Sequence, residues 1–99
     1  MEQVSGQFDI SLEAPVVSTT YVTQEKKSIL YVTHEFDEDE GIIWQFHCGN
    51  SDYSSEVLQL VRLDEILAID PDIVTLATLP IGYSARRQSQ YSAWVITKG

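Results

Sequence analysis

Ninety-nine residues, 43% of them hydrophobic and 10% aromatic, describe one globular domain with room for a core but not for two. Six basic against fifteen acidic side chains give a net charge of -9, which disfavours nucleic acid and anionic membrane and favours a basic partner or plain solubility. Cys48 is the single cysteine, so no internal disulfide framework exists. No signal-like segment appears, and no apolar run nears the roughly 20 residues that span a bilayer; the expectation is a cytoplasmic protein.

Residues 1–15 begin polar and then alternate through Phe8, Ile10 and Leu12, which predicts an N-terminal arm or edge strand stopped by Pro15. Residues 16–99 are predicted to form a single domain. VVSTTYVT over 16–23 is rich in β-formers and reads as a strand running into a turn, and QEKKS is a polar connection.

The central stretch follows. ILYVTHEF and IIWQFHC flank DEDEG, a pattern that predicts a β-hairpin. Pairing Phe36 with Ile42 puts Leu30, Val32, His34, Phe36, Ile42, Trp44, Phe46 and Cys48 on one face. Both strands then agree on the core side, and a one-residue slip destroys that agreement.

Gly49-Asn50-Ser51-Asp52 is a loop by composition, and residues 57–61 alternate as a short strand. Leu63, Ile66 and Leu67 then fall at helical spacing, with Asp64 and Glu65 where the helix dipole favours acids. Asp70 suits an N-cap and Pro71 the first position of a second short helix carrying Ile73, Val74, Leu76 and Ala77. Leu79-Pro80 ends it, Gly82 lies in a turn, and residues 83–87 and 91–97 read as two further strands. The predicted fold class is α+β: a small antiparallel β-sheet with two short helices packed on one face. Its core is expected to gather Trp44, Phe46, Leu63, Ile66, Leu67, Ile73 and Leu76.

Glu35, Asp37, Glu38, Asp39 and Glu40 form the most unusual local feature. Adjacent carboxylates within a Debye length of about 8 Å repel one another, and a basic partner relieves that repulsion and associates faster through steering. A solvated turn is the plain alternative. A calcium site is disfavoured, because DEDEG lacks the spaced ligands of a calcium loop. Asp52, Tyr53 and Glu56 make a second acidic patch with an aromatic, suited either to partner contact or to packing of the tyrosine on the sheet edge.

His34 and His47 fall on opposite faces, which argues against a shared metal or catalytic role, and alternation turns Cys48 away from His47. His34 beside Trp44 reads as a hydrogen-bonded structural histidine. Arg86-Arg87 is suited either to binding an anion or to pairing with Asp and Glu across the sheet, and pairing is the default. No Gly-rich phosphate loop, Cys-x-x-Cys or Gly-x-Ser-x-Gly motif is present, and the reading is a non-enzyme without metal or cofactor.

GIIWQFHCGNSD followed by LVRLDEILAIDPDIVTLATLPIG resembles a bacterial domain family of unknown function grouped with the immunity proteins of polymorphic toxin systems, as immunity protein thirty-three. Trp44 and Phe46 match its aromatic pair, Gly49 its loop glycine, Asp70-Pro71-Asp72-Ile73 its helix break, and Pro80-Ile81-Gly82 its final turn. Two departures stand out: Ile42 and Ile43 separate Gly41 from Trp44, and Cys48 occupies the usual serine position. The resemblance implies a protein that neutralises a cognate toxin, with a motif that is structural and a contact surface elsewhere. The acidic residues named above are the candidate surface, and a basic toxin domain the candidate partner. The alternative is a non-enzymatic accessory or ligand-binding domain, homodimeric through a sheet edge.

Overall fold

The computed structural model describes residues 8–52 and 54–99. Strand β1 (Pro15–Thr19) leads into a one-turn helix α1 (Thr20–Thr23), then the hairpin β2 (Tyr31–Asp37) and β3 (Gly41–His47). Strand β4 (Leu58–Arg62) runs into helix α2 (Leu63–Ile69), a 3-10 helix follows over Pro71–Leu76, and β5 (Tyr83–Arg86) and β6 (Val95–Lys98) close the fold. The six strands lie in the order β4-β1-β3-β2-β5-β6. Every neighbouring pair is antiparallel except β1 with β3. This is a small α+β fold, mostly antiparallel.

The hairpin keeps the register that its two apolar faces demand. Phe36 stands opposite Ile42, His34 opposite Trp44 and Val32 opposite Phe46. Leu63 and Ile66 of α2 and Ile73 and Leu76 of the 3-10 helix bury against Val16, Val32, Trp44, Phe46 and Ala85, with Leu67 partly buried beside them. Each such fully buried aliphatic or aromatic side chain contributes on the order of 2 kcal/mol. Asp70 starts the 3-10 helix as anticipated, its carboxylate accepting from the Asp72 backbone N–H at 3.2 Å, with Pro71 in the first turn.

Four local expectations are corrected. Phe36 shares the core-side parity but is 60% exposed, because the ladder runs past the end of the core cluster and even its partner Ile42 is only partly buried. Pro15 opens β1 instead of stopping a strand; residues 8–14 run as bends and turns. The expected strand over 91–97 shortens to Val95–Lys98, since Ser92 N–H bonds to the Ser89 carbonyl in a turn and Trp94 is drawn under the Arg87 guanidinium, 4.2 Å away. The second helix is a 3-10 helix, and α1 is an additional turn.

Residues 8–14 are stitched to the domain at both ends. Leu12 and Ala14 carbonyls accept the Asp64 and Leu63 backbone N–H groups at 2.9 and 3.0 Å, satisfying donors that the start of α2 otherwise leaves orphaned. Phe8 meets Trp44 edge-on, with centroids 5.1 Å apart, and is 5% exposed.

Candidate functional site

The acidic residues divide between the two ends of the hairpin. At the turn, Asp37 Oδ1 accepts from the backbone N–H of Asp39 at 2.7 Å and of Glu40 at 3.0 Å. These two bonds, Asp39's first, hold the Asp37 carboxyl below its ordinary range because they favour the charged form. Gly41 then takes a φ of +85°, a left-handed conformation natural to glycine. The turn is therefore pinned, while Glu35, Asp37, Glu38, Asp39 and Glu40 are all exposed. Among the described residues, none of the ion pairs involves any of these five. Phe36, 60% exposed, lies between Glu35 and Asp37 in β2, on the opposite face of the strand.

Asp52 lies beyond the other end of β3. Seven strand residues separate it from the turn, a span of about 20 Å. Its Oδ2 accepts from the Tyr21 hydroxyl at 2.6 Å and its Oδ1 from the Ser54 backbone N–H at 3.2 Å. The shared hydrogen bond holds the Asp52 carboxyl below its ordinary range and pushes the Tyr21 phenol up. Glu56 is exposed in the turn before β4, and Tyr53 lies outside the described residues. The fold thus separates the two acidic patches.

The residues carrying the family resemblance are structural in position. Trp44 and Phe46 stack with planes 5° apart inside the core. Gly49 and Gly82 have φ of +83° and +90°, and Gly82 N–H donates to the His34 carbonyl at 2.7 Å. Pro80 opens that turn, its carbonyl accepting from Tyr83. Asp70 and Pro71 begin the 3-10 helix.

His34 is 4% exposed and stacked on Trp44 at 3.9 Å. Its Nδ1 donates to the Leu79 carbonyl at 2.6 Å, and its Nε2 meets Asp9 Oδ2 at 2.8 Å. The other Asp9 oxygen accepts from Trp44 Nε1 at 2.9 Å. His47, on the opposite face, bonds through Nε2 to Gln45 Oε1 at 2.8 Å, and burial pushes its pKa down. Arg87 pairs with acids, but with Asp70 and Asp72 at the break between α2 and the 3-10 helix instead of across the sheet, and Arg86 forms no ion pair among the described residues. Among the described residues, no group of three or more His, Cys, Asp or Glu is arranged to hold a metal ion.

Sequence reasoning did not single out Asp9, Tyr21 or Trp94. Asp9 occupies an ordinary polar position in the Phe8–Ile10–Leu12 alternation, so no local signal marks it. Their partners lie 25 to 35 residues away for Asp9 and 31 for Tyr21, beyond the reach of any spacing rule.

At the end of the sheet opposite the hairpin turn lie two adjoining concavities of about 470 and 560 Å³, sharing Leu30 and Gln88 as a wall. Leu30, Ala93, Val95 and Arg86 line the first; Tyr21, Lys27, Cys48 and Asn50 line the second. The Arg86 guanidinium sits 4.0 Å above the Tyr31 ring. No family model, curated protein or solved structure matches the chain. Among the described residues, no helix is long and apolar enough to cross a membrane.

Proposed function

We propose that this chain is a cytoplasmic, non-enzymatic binding protein of the immunity type, which engages a basic protein partner, a toxin domain, through its acidic hairpin turn. One observation carries the reading: five exposed carboxylates, in no ion pair among the described residues, lie in the same hairpin end as Phe36, which is 60% exposed, on a backbone pinned by Asp37. An exposed aromatic anchor in an acidic hairpin end is suited to a cationic surface, since the ring supplies contact energy and the charges supply steering. The pinned turn lowers the ordering cost of docking. Both histidines are held in structural contacts on opposite faces, which supports binding over catalysis. The separate acidic residues Asp52 and Glu56 are about 20 Å away and are assigned no share of this contact.

The test uses the quadruple variant Glu35→Gln, Glu38→Gln, Asp39→Asn, Glu40→Gln, which leaves Asp37 to hold the turn. Affinity capture at low salt from the source cell identifies the partner, and association is then timed with wild type and variant over a salt series. The expected result is an on-rate about tenfold lower at low salt and a flattened salt dependence. An unchanged on-rate removes the turn from the interface.

A further inference from the structure

We infer that the paired concavities at the sheet end opposite the acidic turn form a binding site for a small organic anion with an apolar body. Their volumes, about 470 and 560 Å³, are those of small-molecule sites. The first is walled by Leu30, Ala93 and Val95, which suits an aliphatic or flat aromatic body.

The charge distribution selects the head group. The chain carries six Lys and Arg against fifteen Asp and Glu, and four of the six, Lys26, Lys27, Arg86 and Lys98, take part in no ion pair among the described residues. Arg62 pairs with Asp64, and Arg87 with Asp70 and Asp72. Of the other four, Arg86 borders the first concavity, whose lining holds no carboxylate, and Lys27 borders the second, where Glu25 also lines the wall, so the head group is placed at Arg86. The Arg86 guanidinium is already positioned by the Tyr31 ring beneath it, 4.0 Å from the centroid. A guanidinium stacked on one face keeps its in-plane N–H groups free for a two-point contact with a carboxylate, sulfonate or phosphate. Anion and apolar body together therefore have matching surfaces, about 20 Å from the acidic turn and independent of any partner bound there.

The experiment titrates the folded full chain with anilinonaphthalene sulfonate, reading fluorescence and backbone amide shifts, with uncharged phenylnaphthylamine as the control. Near-ultraviolet circular dichroism at saturation verifies that the fold is retained. The expected result is saturable binding at one site, with shifts centred on Gly49, Gln88 and Ala93. Affinity should fall about tenfold in Lys27→Gln/Arg86→Met, in which methionine keeps an apolar contact on Tyr31, and stay unchanged in Lys98→Gln. Competition by decanoate and by decyl phosphate distinguishes a carboxylate from a phosphate head group, and decanol should not compete. Binding that is unaltered in the double variant, shared equally by the neutral dye, mapped to another face, or not saturable overturns the assignment.

Discussion

Arg87 Nη2 donates to Asp70 Oδ2 at 2.6 Å across 17 residues of sequence, with the two side chains 0% and 10% exposed. The same guanidinium donates from Nε to the Ile29 carbonyl at 3.0 Å and from Nη1 to Asp72 at 3.3 Å. It also covers the Trp94 ring. One side chain thus ties the entry to β2, the break between α2 and the 3-10 helix, and the 88–94 segment. Removing one partner of such a buried pair strands the other charge, at a cost of about 3–5 kcal/mol.

A double-mutant cycle in urea tests this. Arg87→Met and Asp70→Asn should each destabilise by that order, although asparagine keeps an oxygen for the cap to Asp72. The combined variant should lose much less than the sum, because neither charge is then left alone. Additive losses would mean that the pair is not coupled.

Asp9 joins two aromatic systems. Its carboxylate spans Trp44 Nε1 and His34 Nε2, and that bridge fastens the 8–14 segment whose carbonyls cap α2. Asp9→Ala should cost about 1–3 kcal/mol and speed amide exchange at Leu63 and Asp64. Asp9→Asn should recover most of the loss, by turning its oxygen to Trp44 and its amide N–H to His34. Amide exchange at Leu63 and Asp64 that stays at the wild-type rate in Asp9→Ala would detach the bridge from the helix cap.

The hairpin was legible for a physical reason: two strands with alternating faces leave one register that puts both apolar sets on one side, and Val32, His34, Trp44 and Phe46 occupy that side. The Asp70-Pro71 break was legible because capping is local chemistry. Phe36 was not, because alternation assigns a face but says nothing of where the covering layer ends. The parallel neighbour of β3 was not either, since 21 residues (20–40), among them the whole of β2, lie between β1 and β3. The Asp9 bridge, the Arg87 knot and the two concavities arise only when distant segments meet. The acidic turn, by contrast, is a property of contiguous residues and could be read directly.

Thr33 is 6% exposed in the middle of β2, and its hydroxyl oxygen has no hydrogen-bond partner among the described residues. A buried unpaired hydroxyl carries a desolvation penalty of about 1–3 kcal/mol, and valine offers the same shape with the same preference for strands. Thr33→Val should therefore raise stability by about 1 kcal/mol, read as a higher urea midpoint at unchanged slope. A lowered midpoint would reveal that the hydroxyl is satisfied in solution.

The Tyr21–Asp52 hydrogen bond fastens α1 to the loop after β3 and is limited by pH on both sides. The Asp52 carboxyl is held below its ordinary 3.8 first by the Tyr21 hydroxyl and then by Ser54, so its contribution is full above 3.8 and lost as pH falls through the lowered value. The Tyr21 phenol is raised above 10.0, chiefly by the same bond, so its contribution is full below 10.0 and lost as pH rises through the raised value. The clasp is therefore intact between these limits. An ultraviolet difference titration against Tyr21→Phe isolates this phenol from the other tyrosines. It should ionise above the ordinary tyrosine range in the wild type and return toward that range in Asp52→Ala, with amide exchange of residues 50–52 accelerating in step. A Tyr21 titration that does not move in Asp52→Ala would assign the raised value to burial instead of to the bond.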